Sequence, residues 1–183
     1  GYPVVMKIVS PDVLHKSDVG GVALGLENPA QVLQAFTRIA TNVQRHMPDA
    51  QIWGVDVQEM AKGGKEAVLG LTRDPTFGPV IMFGLGGIYV EVLKDISLRV
   101  CPLDPAEARR MIREIHSFAL FQGVRGEPPS DLAAVEEYLL RLSQLAMEHP
   151  EISEADINPV LVGPVGAGAV ALDVRFILQE VET

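Results

Sequence analysis

The chain has 183 residues, 48% of them hydrophobic and 21% charged, with 24 acidic against 15 basic side chains and a formal net charge of −9. That composition suits one ordinary domain or two small lobes, and it excludes a disordered chain. No apolar run approaches the roughly 20 residues that span a bilayer, and a chain this acidic offers no general field for nucleic acid or an anionic membrane.

Taken in chain order, Val4 to Val9 is rich in β-branched residues and predicts a short buried strand. Ser10 to Gly21 is a polar loop, and Val22 to Leu26 is a second strand. Asn28-Pro29 opens a helix, with a capping residue before a proline at the first helical position. Val32, Ala35, Phe36, Ile39, Ala40 and Val43 fall on one face of that helix, which ends near Pro48. Strands are expected at Ile52 to Met60, Glu66 to Thr72, Pro79 to Phe83, Tyr89 to Leu93 and Ser97 to Cys101. Helices follow at about Pro105 to Phe121 and Asp131 to His149, then two strands near Ala155 to Val162 and Ala169 to Ile177 around a Gly-rich turn. Strand meanders with only three helices make the class α+β. A lobe boundary is expected near Gln58 to Gly64, giving lobes of residues 1–60 and 61–183.

No basic stretch precedes an apolar one, so no signal peptide is visible. The first residue is Gly1, and the strand that follows at once leads us to expect that the natural N-terminus is missing. Cys101 is the single cysteine, which rules out an internal disulfide and agrees with a cytoplasmic location.

Four stretches carry chemistry. Lys7 ends an apolar strand, where lysines are rarely buried. It either snorkels to the surface or supplies a fixed cation for phosphate oxygens. The loop His15-Lys16-Ser17-Asp18-Val19-Gly20-Gly21 offers polar side chains and glycines that let a ligand approach the backbone, though it is no Walker A loop. A loop histidine is ordinarily just solvated; beside a phosphate site His15 is able to accept or relay a phosphoryl group.

In Glu154-Ala155-Asp156-Ile157-Asn158-Pro159, a strand projects Asp156 and Asn158 to one face, and Asp173 arrives on the next strand. Oxygen ligands converging in this way suit Mg²⁺; the bland alternative is turn chemistry at Asn-Pro with a solvated Asp173. Glu59, Met60 and Glu66 lie at the expected boundary, a place for an adenine ring and its ribose, although Met60 equally suits a core. Phe83-Gly84-Leu85-Gly86-Gly87 lacks dinucleotide-site spacing. Arg125, in Gly123-Val124-Arg125-Gly126, suits phosphate recognition or simple exposure.

These pieces, in this order, resemble the ATP-grasp module of ADP-forming acyl-CoA synthetases. That family includes the acetate–CoA ligase nucleotide-binding subunit and, more distantly, the succinyl-CoA synthetase β subunit. The resemblance runs from Gly1-Tyr2-Pro3-Val4-Val5-Met6-Lys7 to Leu172-Asp173-Val174-Arg175. It implies an ATP-grasp fold of two lobes with ATP or ADP between them, the N-terminal lobe being incomplete. Lys7 would grip phosphates, Gly20-Gly21 would cover them, Glu59 and Met60 would form the adenine hinge, and Glu66 would be a further nucleotide contact. Asn158 and Asp173, with Asp156 beside them, would hold Mg²⁺, and Arg125 would add phosphate charge neutralisation. His15 would carry phosphate to ADP, the principal phosphohistidine lying in a CoA-ligase domain outside this chain. The implied partners are the CoA-binding and CoA-ligase domains of the same enzyme. Two other readings are a regulatory nucleotide-binding module fused to a lysine acetyltransferase, and a carboxylate–amine ligase. The latter has no use for a relay histidine.

Overall fold

A computed structural model of the chain describes residues 1–87 and 94–180. The strand expected at Tyr89 to Leu93 lies outside the described residues. The chain divides into two compact units, Gly1–Lys62 and Gly63–Thr183.

The first unit is a three-stranded antiparallel sheet with one helix. β1 (Val4–Val9) lies between β2 (Val22–Leu26) and β3 (Gly54–Glu59). Helix α1 (Pro29–His46) starts where expected: Asn28 accepts a hydrogen bond from Gln31 N (3.0 Å), and Gln31 Oε1 accepts from Glu27 N (2.7 Å). This reciprocal pair satisfies two amides at the helix start. Ala35, Ile39 and Val43 of α1 then bury against Met6 and Ile8 of β1 and Ala23 and Leu26 of β2. Phe36 falls off that contact and is exposed, because a single helix does not cover its whole apolar arc.

The second unit is a six-stranded antiparallel sheet. Its order is β6 (Ile96–Val100), β5 (Gly78–Leu85), β4 (Lys65–Asp74), β7 (Ile152–Val162) and β8 (Ala169–Ala171), with β9 (Val174–Leu178) also paired to β7. One face carries α2 (Pro105–Glu114) and α4 (Leu132–Glu148). Leu69 and Leu71 of β4, Ile81 and Phe83 of β5, Met111 of α2 and Leu139 of α4 form one core with Phe121, whose ring lies 6.0 Å from that of Phe83.

The helix expected to run unbroken from Pro105 to Phe121 is interrupted. α2 stops at Glu114, and a single turn, α3 (Phe118–Phe121), follows. The cause is Asp95, whose carboxylate accepts hydrogen bonds from the amides of His116 and Ser117 (both 2.7 Å) and from His116 Nδ1 (3.1 Å). Burial opposes ionisation of Asp95, but these bonds from Ser117 and His116 outweigh it and hold its carboxyl down at about 2. The strand expected from Ala169 to Ile177 is likewise split, at Leu172 and Asp173.

Both ends of α4 are fastened from outside the helix. Asp131 caps its start (Ala134 N, 3.3 Å) while its other oxygen accepts from Gly166 and Gly168 of the β7–β8 turn (2.9 and 3.0 Å). At the far end, Arg73 of β4 donates to Ala146 O (2.6 Å), His149 O (2.9 Å) and Ile152 O (2.7 Å). Carbonyls at a helix C-terminus have no partner within the helix, and a cation there opposes the helix dipole.

Arg73→Ala removes this donor from Ala146 O and Ile152 O, while His149 O keeps the Ile152 amide (3.1 Å), and should destabilise the second unit by about 2–4 kcal/mol, read by urea unfolding. Asp95 gives a pH signature. Its carboxyl is lowered from an ordinary 3.8 to about 2, so its contribution is complete above roughly pH 4 and is lost as pH falls toward 2. In Asp95→Asn the fall in thermal midpoint across that window should flatten; an unchanged acid limb would assign it to other carboxylates.

Candidate functional site

In the first unit the alternation of β1 decides where Lys7 goes. Met6 and Ile8 are 1% exposed and face α1, so Lys7 projects from the opposite face and is half-buried there. Its register partners are Val22 on β2 and Asp56 on β3. Gln58, on the same face of β3, donates to Asp56 Oδ2 at 2.5 Å. Lys7 therefore rises from a central strand, flanked by a carboxylate that is itself oriented by an amide.

The loop after β1 is held by three devices. Val13 is buried in the core, Asp12 accepts a hydrogen bond from Gln51 N (2.7 Å), and the loop bonds to itself. Asp18 N donates to His15 O (3.2 Å), Gly20 N to Ser17 O (3.0 Å) and Gly21 N to Lys16 O (2.7 Å). Gly21 admits no side chain, since a Cβ there would lie 2.7 Å from Ile8 Cγ2 and 2.8 Å from Lys16 O. The amides of Gly20 and Gly21 are thus engaged within the loop, and their small size serves packing on β1 and α1. His15 stands exposed at the start of the turn. At the end of β3, Glu59 is exposed opposite Val4, and Met60 continues the pairing through its amide to Pro3 O (3.2 Å).

In the second unit the register builds cross-strand rows on the sheet face turned away from the helices. One row runs Leu98, Met82, Gly70, Asp156 and Arg175 across β6, β5, β4, β7 and β9. Its neighbour runs Val100, Val80, Thr72, Glu154 and Ile177. The face is apolar on β6 and β5, low at Gly70 in the middle, and charged on β7 and β9.

A β-bulge lies at the key position. Between the pairs Leu69↔Ile157 and Ala67↔Val160, two steps on β4 oppose three on β7. The extra residue falls at Asn158-Pro159, and the burial parity of β7 changes there. Ala155 and Ile157 face the core before it, Val160 and Val162 after it. Asn158 is exposed, and the break between β8 and β9 sits directly opposite it. Asn158 N donates to Asp173 O at 3.0 Å, and Leu172 N to Pro159 O at 2.9 Å. The bulge and the split strand are one local feature that brings Asn158 and Asp173 side by side, with Asp156 two residues back.

Two carboxylates and one amide oxygen fit Mg²⁺, which takes a few protein oxygens and completes its shell with phosphates and water. Among the described residues no group of three or more His, Cys, Asp or Glu forms a metal cluster, so a site of the zinc or closed-cage kind is not built here.

Glu66 is exposed on β4, and Gly86 N donates to its carbonyl (2.8 Å). A Cβ on Gly86 would lie 2.9 Å from Glu66 Cβ, and one on Gly87 would lie 3.0 Å from Glu66 Oε2. The glycine-rich end of β5 therefore packs on Glu66 and leaves its carboxylate room. Beside it, Lys65 forms an ion pair with Glu127, in the loop that carries Arg125. Local sequence gave no sign of this pair, of Asp56 beside Lys7, or of Arg175 opposite Asp156; each arises from pairing between strands or loops distant in sequence.

Among known proteins, an ATP-grasp domain family matches residues 1–178. The ADP-forming acetate–CoA ligase I of Archaeoglobus fulgidus is 52% identical over 98% of the chain, which spans 26% of that protein. The subunit beta of the corresponding Pyrococcus furiosus enzyme is 47% identical over 97% of the chain, which spans 76% of that subunit. The acetyl-coenzyme A synthetase 1 of Ca. Korarchaeum cryptofilum, solved with coenzyme A and Ca-AMPCP, superposes with a TM-score of 0.93 at 47% identity, covering 98% of this chain and 77% of that one. The mixed sheets, the few helices and these likenesses agree: the chain belongs to the ATP-grasp family, in the branch that contains the β subunits of ADP-forming acetate–CoA ligases.

Proposed function

We propose that this chain binds Mg²⁺ with ADP or ATP and transfers a phosphoryl group for an ADP-forming acyl-CoA synthetase. The whole enzyme would convert acyl-CoA, ADP and phosphate into carboxylate, CoA and ATP. The observation that carries this reading is the bulge that sets Asn158 against Asp173 on a sheet face otherwise lacking a reason to gather oxygen donors. Relatives solved with a nucleotide analogue and coenzyme A support it.

Asn158 and Asp173, with Asp156 beside them, would hold the metal, which neutralises phosphate charge and fixes the phosphates in line. Lys7 would add a fixed cation, its direction set by the strand and by Asp56. Glu59, Met60 and Glu66 would receive the base and ribose. Gly20 and Gly21 would shape the loop beside the phosphates through its internal bonds. His15 would act as the transient acceptor. A ring nitrogen attacks phosphorus of an incoming phosphorylated group, forming an N–P bond as the donor leaves. An oxygen of the ADP β-phosphate then displaces histidine, forming the new P–O bond of ATP. The incoming group and the CoA chemistry belong to the CoA-binding and CoA-ligase domains of the larger enzyme, in the cytoplasm, where the lone Cys101 stays reduced. The exposure of His15 on its loop leaves the ring open to an incoming phosphorylated group, as a relay needs.

Calorimetry with MgADP tests the binding half. Lys7→Ala should weaken affinity by about 1–3 kcal/mol, and Asp173→Asn should lower Mn²⁺ affinity in the presence of nucleotide without lowering the melting temperature. Unchanged values in both would remove these residues from the site. The catalytic half rests on His15→Ala in the complete enzyme, which should abolish ATP formation while MgADP binding persists. Acid-labile, base-stable phosphate found on the CoA-ligase portion alone, even under rapid quench, would sink the relay.

A further inference from the structure

The loop between α3 and α4 holds a residue in a conformation that its type disfavours. Arg125 has φ +53, and Gly126 after it has φ +88. With Glu127 N donating to Val124 O (3.1 Å), the four residues Val124–Glu127 form a turn whose two central residues both lie at positive φ. Glycine, asparagine and aspartate suit such positions, whereas a long side chain there is disfavoured by about 1 kcal/mol.

The surroundings give the turn no other shape. Gly123 has φ +87, and a Cβ on it would lie 2.4 Å from Glu127 O. Both flanks are tied down, Ser130 N to Phe121 O (2.8 Å) and Val165 N to Pro129 O (3.1 Å). Glu127, the carboxylate two residues along, is taken by the ion pair with Lys65 of β4. Arg125 itself is exposed and makes no hydrogen bond, ion pair or ring contact among the described residues. In a chain of net charge −9, an arginine kept in a disfavoured conformation, with the carboxylate two residues along engaged by Lys65, contributes nothing to this turn that asparagine would not contribute better.

We propose that Arg125 is a preset phosphate clamp and that Lys65 and Glu127 are its positioning pair. The planar guanidinium offers two parallel N–H donors to a phosphate, and the locked turn fixes where its stem leaves the backbone. The inference deepens the proposed function and rests on it for the identity of the phosphates, which belong either to the nucleotide or to coenzyme A.

The probes are inorganic pyrophosphate, MgADP and coenzyme A, each titrated calorimetrically. The variants are Arg125→Asn, Arg125→Lys and the charge-neutral double change Lys65→Met with Glu127→Gln. Arg125→Asn should weaken pyrophosphate binding about tenfold or more and yet raise the melting temperature by ~2–5 °C, because asparagine tolerates positive φ. Arg125→Lys should keep part of the affinity. The double change should weaken pyrophosphate binding in the parent and have no further effect beside Arg125→Asn. Whichever of MgADP and coenzyme A loses affinity in parallel is the source of the phosphate. A lower melting temperature in Arg125→Asn would make the arginine structural and overturn the proposal, as would three unchanged affinities or a parent that binds none of the probes. If pyrophosphate binding depends on Arg125 while MgADP ignores Lys7 and Asp173, the nucleotide reading falls and the clamp stands.

Discussion

The second unit turns on one extra residue in β7. A strand alternates its side chains strictly, so a sheet buried on one face leaves every second residue of a central strand for the other face. An uninterrupted β7 that buried Ala155 and Ile157 would have to bury Pro159 and Leu161, and Val160 and Val162 would point away from the helices. The bulge at Asn158-Pro159 resets the parity, so both apolar pairs reach the core while Asn158 is turned out between them. It also frees the neighbouring strand from continuous pairing, which places Asp173 in the gap between β8 and β9. The oxygen donors and the closed core are products of the same irregularity, as is common where sheets meet their ligands.

How much of this was legible beforehand differs by level. The first helix start was clear, because Asn28-Pro29 carries its capping chemistry in two adjacent residues, and the structure shows the same chemistry at Asp104-Pro105. Among the described residues, strand positions were clear to within two or three residues. The failures were interruptions. The apolar spacing from Pro105 to Phe121 is helical throughout, and only Asp95, arriving from before β6, shows why the helix breaks at His116 and Ser117. Ala169 to Ile177 reads as one strand, and its break at Leu172 answers a bulge on its partner.

The candidate site shows the same division. Asn158 and Asp173 were visible as a pair because strand periodicity and a short hairpin connection bring them together. Lys7 was visible as a lysine expected to end an apolar strand, although the structure sets it inside β1, followed by Ile8 and Val9. The neighbours brought up by distant strands and loops were not visible. Asp56 lies beside Lys7 through pairing of β1 with β3, Arg175 lies opposite Asp156 through pairing of β7 with β9, and Glu127 reaches Lys65 from a loop beyond two helices. The glycines of the first loop, by residue type alone, suit the close approach of a ligand. Their geometry shows a packing requirement, since Gly21 lies against Ile8 and Lys16 O with no room for a methyl group.

The place of β4 in the sheet bears on how the polypeptide is made. Its register partners are β5, immediately after it, and β7, whose Val162 pairs with Lys65. Arg73 reaches residues that follow later still than α4's first turns. On a ribosome, β4 emerges long before β7, and its run Ala67-Val68-Leu69-Gly70-Leu71 waits with one edge unpaired while some eighty residues are added, at roughly 5–20 per second. An apolar edge open for several seconds is a template for pairing with other nascent chains. The architecture that pairs β4 on both edges in the finished unit leaves one of those edges open during synthesis until β7 arrives.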